Sequence, residues 1–574
     1  GFEALRQGAS GDSNVAVGYV ALTTNTGAQN TAVGHNSMKF NTSGTQNVAV
    51  GAFALDANTT ADDNTAVGHN CLTANTTGTG NTAVGRKAMD LTTTGGNNVA
   101  IGKEALRVNQ TGFNNVVIGY QALEDSTHGS NVAVGYQAAA SQTSAQNNVA
   151  VGELALSSNL TGAHCTAVGK NSLQNNNQSF NTAFGSGAGS GNTTGQHNTF
   201  LGLNTATQNT SGSHNTIVGG SAGHSSGNGS YRTYIGREAG AFVSGGFNTS
   251  VGYQALMGVS GQSSGASNTA VGYQAMTDHT TGIDNTAVGT LALHANTTAS
   301  NNTAVGKGAI TSNTTGQQLT ALGSLALENN TTASGNTGIG SKALRANTTG
   351  HTNTAVGQQA LLSNVDGFRN TALGNDTLRS NTQGVENVAV GSFALDLSTT
   401  ASNNVALGFN SLNACTTGGG NTAVGSNAGK SVTTAVNICA VGSTCLDAVT
   451  TGVSNTGVGN GALSTVTTHY DNVAVGTSAM GGATANQCVA MGHSALNLST
   501  GANNTAIGNR ALTLNTSGTE NTAVGGFALD ANTTANYITA IGYNCLSNNT
   551  TGSNNTGVGR SALLANVTGN NNTA

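Results

Sequence analysis

Apolar and polar positions recur along this chain with a spacing of about 17 residues, in a phrase that reads Asn-Thr-Ala-Val-Gly-x-x-Ala-Leu. Counted by its glycine, the phrase occurs 34 times between Gly1 and Gly559. Of the 33 intervals, 26 are 17 residues, six are 16 and one, from Gly252 to Gly272, is 20. So regular a period is typical of a solenoid, in which each repeat forms one coil stacked on the next. We therefore predict one all-β parallel solenoid of about 34 coils, continuous over residues 1–574.

Two columns of the repeat are predicted to form the core. The residue before the glycine is apolar in all 33 copies that have one, and the residue four after it is Leu, Met or Ile in 28 of 34. Thr or Val three before the glycine is β-branched and favours a strand. We expect two short strands in each coil, separated by turns. The predicted core residues are Val17, Leu22, Val305, Leu327, Leu361, Val524 and Leu529.

An asparagine stands four residues before the glycine in 27 of 33 copies. Five of its six replacements are apolar and the sixth is Arg232, whereas an exposed asparagine would be expected to alternate with Ser, Asp or Lys. We predict an internal column whose side-chain amides bond from coil to coil. The alternative is an asparagine that merely suits a turn. The column is represented by Asn14, Asn47, Asn81, Asn148, Asn302, Asn353, Asn421, Asn504 and Asn555.

Composition narrows the class of protein. Proline is absent from all 574 residues, as expected of strands that donate hydrogen bonds within a continuous sheet. The 17 Lys and Arg residues do not cluster and the net charge is −5, so we predict no nucleic-acid partner. Apolar runs of four or five residues predict no membrane insertion as a helix. Because the array starts and stops inside a repeat, we interpret it as a fragment of a longer polypeptide.

Candidate chemistry is sparse. The sequence contains no HExxH, CxxC, Gly-x-Ser-x-Gly or calcium-binding nonapeptide motif, so we predict no metal site and no cofactor. A polysaccharide-cleaving β-helix would need carboxylates that converge on one groove, and the 22 acidic residues are spread along the array. The seven cysteines fall in different columns and are interpreted as small buried residues rather than disulfide partners. We predict that the chain is not an enzyme.

Residues 180–270 depart from the pattern. Four successive coils replace the core leucine with Gly189, Ala206, Gly223 and Gly240, while eight of the 23 aromatic residues gather there. This indicates either a repacked cross-section, in which volume lost from one column is refilled from others, or a bend or receptor-contact patch. The candidate contact residues are Tyr231, Tyr234, Phe242, Phe247 and Tyr253.

The turn segment Asn-Thr-Thr-Gly creates Asn-x-Ser/Thr sequons, for instance at Asn75, Asn313 and Asn532. We expect these turns to be exposed, and in a eukaryotic secretory setting they would then accept glycans. The same residue types are also those that a turn requires.

Two copies of the phrase carry a resemblance to known families. Asn47-Val-Ala-Val-Gly-Ala-Phe-Ala and Asn98-Val-Ala-Ile-Gly-Lys-Glu-Ala are similar to the Ser-Val-Ala-Ile-Gly-x-x-Ser/Ala repeat in the head domains of trimeric autotransporter adhesins. The longer variant with an Asn-Thr-Thr-Gly turn resembles repeats of tail-fibre-like proteins from bacteriophages and large aquatic viruses. The resemblance implies a left-handed parallel β-roll that assembles as a homotrimer, although the period here is longer than that of the adhesins.

The function implied is a non-enzymatic fibre shaft, extracellular or on a virion surface, that spaces or forms a host attachment element. Its expected partners are further copies of itself and a host surface glycan or protein. The main rival is a self-assembling extracellular filament or a bacterial adhesin head. An ice-binding solenoid and a polysaccharide-cleaving β-helix are further alternatives. We expect no strand to carry the paired Thr-x-Thr rows that an ice-binding face would need.

Overall fold

A computed structural model describes residues 1–6 and 11–574. In these residues each coil contributes one three-residue strand, and no helix occurs. The chain divides into two compact units, Gly1–Asn285 and Thr286–Ala574, and each is described by itself.

Unit 1 contains sixteen strands, one in each coil that the structure describes as extended. They are β1 Val15–Val17, β2 Thr31–Val33, β3 Val48–Val50, β4 Thr65–Val67, β5 Thr82–Val84, β6 Val99–Ile101, β7 Val116–Ile118, β8 Val132–Val134, β9 Val149–Val151, β10 Thr166–Val168, β11 Thr182–Phe184, β12 Thr199–Leu201, β13 Thr216–Val218, β14 Thr233–Ile235, β15 Thr249–Val251 and β16 Thr269–Val271.

Unit 2 contains seventeen strands of the same length. They are β17 Thr286–Val288, β18 Thr303–Val305, β19 Thr320–Leu322, β20 Thr337–Ile339, β21 Thr354–Val356, β22 Thr371–Leu373, β23 Val388–Val390, β24 Val405–Leu407, β25 Thr422–Val424, β26 Cys439–Val441, β27 Thr456–Val458, β28 Val473–Val475, β29 Val489–Met491, β30 Thr505–Ile507, β31 Thr522–Val524, β32 Thr539–Ile541 and β33 Thr556–Val558.

Within each unit every strand pairs in parallel with the strand of the next coil. Equivalent positions of the repeat lie opposite each other, as Val15 opposite Thr31 in unit 1 and Thr303 opposite Thr320 in unit 2. The predicted all-β parallel solenoid with a 17-residue period is confirmed.

The residue that follows each strand has to be glycine for two reasons, both of which lie in the backbone. Gly306, for example, has a φ of +136°, which side chains other than glycine disfavour. A Cβ atom at this position would also run into the backbone carbonyl of Gly323 in the next coil. Stacking therefore places glycine on glycine from coil to coil.

We expected the segment after the glycine to form a second strand in each coil, and it does not. Leu325 and Leu327, two and four residues after Gly323, have φ angles of +58° and +52°. Every second residue of this segment has a positive φ, so the backbone is not extended. Coil-to-coil bonding continues nonetheless, because Leu327 donates its N–H to Ala343 O at 2.9 Å and Leu325 donates to Lys307 O at 2.9 Å.

The core is narrower than the sequence prediction. Leu22, Leu327, Leu361 and Leu529 are fully buried, but the column before the glycine lies on the outside, with Val17 55% exposed. Val305 and Val524 are only half-buried, so assigning them to the core is wrong. Adjacent strand residues point to opposite faces, and the inward residue is the alanine between them, fully buried in almost every strand. The inward position is nearly always small, although Val117 of β7 is fully buried there in a coil that keeps Leu123.

Candidate interaction surfaces

The first and third residues of every strand form what we call the outer face. Its first column holds only Thr, Val and Cys439, and its second column only apolar residues, in both units. Many of these side chains remain well exposed, for example Ile118 at 40% and Leu322 at 49%. The next column after the glycine varies freely and includes Arg86, Glu153 and other polar residues. The second column of the outer face is therefore exposed yet apolar at every coil, whereas the column after the glycine is not restricted in this way. A continuous exposed apolar surface is typical of an interface.

Beside the outer face of unit 1, six rings stack in a column five residues before the glycine. Neighbouring ring centroids lie 4.9–5.3 Å apart with planes within 2–8° of parallel. Their backbones share a φ near +60°, so each coil presents its ring in the same orientation, and the coil rise matches the stacking distance. We call this the ring ladder: His164, Phe180, His197, His214, Tyr231 and Phe247.

The five predicted contact residues do not form one patch. Tyr231 and Phe247 are neighbours in the ring ladder, 55% and 64% exposed. Tyr253 stacks on Tyr273 at 5.5 Å in the column after the glycine, and Phe242 is half-buried. Tyr234 is fully buried and cannot contact a partner, so its inclusion in a contact patch is wrong.

Tyr234 instead fills the space left by a missing leucine. It replaces the inward alanine of β14, and a Cβ atom at Gly240 would collide with its ring. Phe200 in β12 stands in the same relation to Gly189. Large residues on one wall therefore compensate for glycine on the other, as close packing requires. This is the repacked cross-section that the sequence offered as one of two alternatives.

Arg232 is buried beside Tyr234, in the asparagine column. Its guanidinium donates to Ser226 O at 2.8 Å, Gly227 O at 3.0 Å and the side-chain oxygen of Asn209 at 3.2 Å. Burial lowers the pKa of the guanidinium. Backbone carbonyls and amides satisfy this cation, so its role is packing and hydrogen bonding within the chain.

The asparagine column is internal and bonded from coil to coil. Asn47 donates its side-chain N–H to Asn30 Oδ1 at 3.1 Å and to Ala61 O at 2.9 Å, and its own Oδ1 accepts the backbone N–H of Asn64 at 3.0 Å. We call this column the strand ladder. Of the nine representatives Asn14 is half-buried, and the others are buried: Asn47, Asn81, Asn148, Asn302, Asn353, Asn421, Asn504 and Asn555.

A second amide column, seven residues after the glycine, was missed by sequence reasoning. Asn347 donates to Asn330 Oδ1 at 3.0 Å and to Gly350 O at 2.8 Å, and accepts from Asn364 Nδ2 at 2.7 Å. We call it the turn ladder. Its members include the sequon asparagines Asn75, Asn313 and Asn532, all fully buried. The expectation that they are exposed is wrong, because their side chains point inward to hold the turn.

The described residues, 1–6 and 11–574, show no cluster of three or more His, Cys, Asp or Glu side chains arranged to hold a metal ion. Nor does any helix in these ranges have the length and apolarity needed to cross a membrane. Six of the seven cysteines are buried and Cys439 is half-buried on the outer face. His279 is fully buried in the turn ladder, and burial lowers its pKa to about 4.

Comparison of the sequence with protein-family models and with curated proteins finds no match. The geometry of the surfaces therefore carries the functional argument.

Proposed function

We propose that the chain is a non-enzymatic fibre shaft that assembles as a parallel homotrimer through its outer face. The carrying observation is the second column of the outer face, apolar in every coil yet substantially exposed in a single chain. Burying such a surface is favourable at about 25 cal/mol per Å². Left-handed winding, implied by the resemblance to trimeric adhesin heads, belongs to the same proposal.

A second copy of the chain fits this face better than an unrelated partner. Sixteen strands at about 4.8 Å spacing and three residues at about 3.3 Å give unit 1 an outer face of roughly 750 Å², close to the ~800 Å² that each partner contributes to a standard interface. The face carries no charged residue in either unit, so it suits another uncharged face. An identical chain also has the same axial repeat, which keeps side chains matched along the whole contact.

A closed trimer is the arrangement that covers the outer face of every copy and leaves the variable columns outward. Those outward columns and the ring ladder are then available to the surroundings. We assign the shaft to a virion or cell surface, where it spaces an attachment element that contacts a host glycan or protein.

Sedimentation equilibrium of the whole chain tests the assembly. We expect a species of three times the 56.4 kDa chain mass. Replacing Val305 and Val424 with Glu puts charges on the outer face, whose burial without partners is costly, and should give a monomer with unchanged far-ultraviolet circular dichroism. The matched control replaces Ser324 and Ser426 with Glu. These serines are exposed in the column after the glycine, and the control should remain trimeric.

A monomer at micromolar concentration for the unmodified chain would refute the trimer. Open-ended polymers in place of a closed species would favour the filament alternative. Assembly that survives glutamates on the outer face would show that the interface lies elsewhere on the coil.

A further inference from the structure

The outer face of unit 1 repeats almost without variation, which leaves the axial alignment of two copies poorly specified. In β1–β16 its first column contains only Thr and Val. A copy displaced by one coil would still pair fifteen of these sixteen strands, and most valines would meet valines as before. Repetitive strands without distinguishing side chains are prone to such slippage. An assembly with aligned ends therefore needs a feature that differs from coil to coil.

Two successive coils provide that feature. Phe184 in β11 replaces the usual valine of the outer face and is 54% exposed, and Leu201 in β12 follows it at 44%. These coils also carry Phe180 and His197 of the ring ladder. In the second column of the outer face of unit 1, every residue is Val or Ile except Phe184 and Leu201 in these two successive coils.

The charge distribution around this level favours a copy of itself as the partner. Residues 171–231 contain no Asp, Glu, Lys or Arg, so no charged side chain is left unpaired when the section meets its own counterpart. Matching then depends on shape alone. When copies are aligned, bulky residues meet at one level and valines meet valines elsewhere. When copies are displaced, Phe184 no longer faces its counterpart, so the contact contains voids and steric overlaps. Both destabilise the contact.

We propose that Phe184 and Leu201 dock on the same section of a second copy of the chain and so fix the axial register of the assembly. This rests on the proposed homotrimer. The outer face supplies the area of contact, and these two side chains decide which coil meets which.

Disulfide cross-linking between copies shows directly which coils of the two chains lie at the same level. In a Cys439→Ser background the remaining native cysteines are buried, so a cysteine placed on the outer face is the reactive thiol. One chain carries Thr82→Cys in β5 and another carries Val99→Cys in the next coil, β6. Aligned copies join position 82 to 82, whereas copies displaced by one coil join 82 to 99. Cysteines whose Cα atoms are more than about 7 Å apart do not bridge without backbone movement.

Chains carrying the two reporters are refolded together and oxidised, and the 82–82 and 82–99 products are quantified by mass spectrometry. We expect 82–82 to exceed 82–99 by at least about tenfold in the otherwise unmodified chain. The levelled variant, Phe184→Val with Leu201→Val, should lose that preference and yield the two products within about twofold of each other. The control, Ile101→Val with Ile118→Val, trims the outer face elsewhere in unit 1 and should keep the preference.

Leu201→Val alone provides a milder variant if the double variant misfolds, and it should give an intermediate ratio. Sedimentation of the same samples separates the two proposals. A monomeric unmodified chain refutes the homotrimer and the register proposal with it. A trimer whose levelled variant keeps the 82–82 preference overturns the register proposal alone, and would assign the bulky section to a partner other than this chain.

Discussion

A break in the turn ladder allows its contribution to stability to be measured by repair. The ladder runs through Asn41, Asn58 and Asn75, with Asn58 donating to Asn41 Oδ1 at 2.7 Å and Asn75 donating to Asn58 Oδ1 at 3.1 Å. It then stops at Thr92, whose side chain does not reach its neighbours. Asn75 Oδ1 and Thr92 Oγ1 are both buried without a hydrogen-bond partner. The substitution Thr92→Asn should complete the column.

The expected gain follows from the intact part of the ladder. By analogy with Asn347, a new Asn at position 92 would donate to Asn75 Oδ1 and to the carbonyl of Gly95, and would accept from Asn109 Nδ2. Each hydrogen bond contributes about 0.5–1.5 kcal/mol net, and satisfying a buried orphan removes a further penalty. We expect local opening to become harder by about 1–3 kcal/mol, equivalent to roughly 5- to 150-fold.

Hydrogen–deuterium exchange of the intact protein is the appropriate assay, because opening in a stacked array is local and one melting temperature would average over many coils. Peptides that cover residues 88–112 should exchange more slowly in Thr92→Asn. Thr94→Asn, two residues later at an exposed position, is the matched control and should change nothing. The converse substitution, Asn347→Thr, should create a break and accelerate exchange around it. Equal protection by both threonine substitutions would refute the ladder as the cause.

Two further predictions concern buried titratable groups. Burial lowers the pKa of His279 from the ordinary value of 6.5 to about 4, so this histidine is neutral in the folded protein. Its contribution to the free energy of unfolding is complete above pH 6.5. That contribution declines as pH falls from 6.5 towards 4, by about 3 kcal/mol in all. His279→Asn should remove that part of the acid dependence in urea unfolding, and identical pH profiles for both proteins would contradict the assignment. Burial raises the pKa of Cys71 to about 12 and of Cys415 to about 11, so a thiol reagent should modify no more than one cysteine in the native protein and all seven after unfolding. Rapid native reaction of two or more would show that the interior is open.

The period and the leucine column could be predicted from the sequence because both follow directly from the repetition of the coil. A residue repeated at a fixed phase must occupy equivalent positions in stacked coils. The leucine column also carries a signal that was overlooked. It contains Leu and Met but only one Ile, Ile310, and the structure explains this preference because these residues have positive φ, which β-branched side chains resist.

The side on which the valines lie could not be predicted from their hydrophobicity. Val and Leu are comparably apolar, so hydrophobicity alone favours burying both inside the coil. Alternation within the strand was the better guide, since the alanine between Thr303 and Val305 has to face the opposite side. The smallest residue of the three marks the narrow interior.

The turn asparagines were misjudged because Asn-Thr-Thr-Gly is what an exposed turn also requires. The replacements in that column held the decisive information. Val432, Val449 and Val466 occupy it in three successive coils of unit 2 and are fully buried. A column that accepts either Asn or Val is internal, because a valine there needs no hydrogen-bond partner, whereas a lone serine such as Ser398 leaves its hydroxyl unsatisfied.

In the proposed trimer, the register within the chain and the register between chains would be specified by different means. Inside, each asparagine of the strand ladder meets its hydrogen-bond partners only when the neighbouring coil is in phase, so a displaced coil leaves buried amides unpaired at about 1–3 kcal/mol each. The second column of the outer face has no polar group with such a requirement, since it is apolar throughout both units. In the proposed trimer, alignment between copies would have to come from shape, and in unit 1 this column departs from Val and Ile only at Phe184 of β11 and Leu201 of β12.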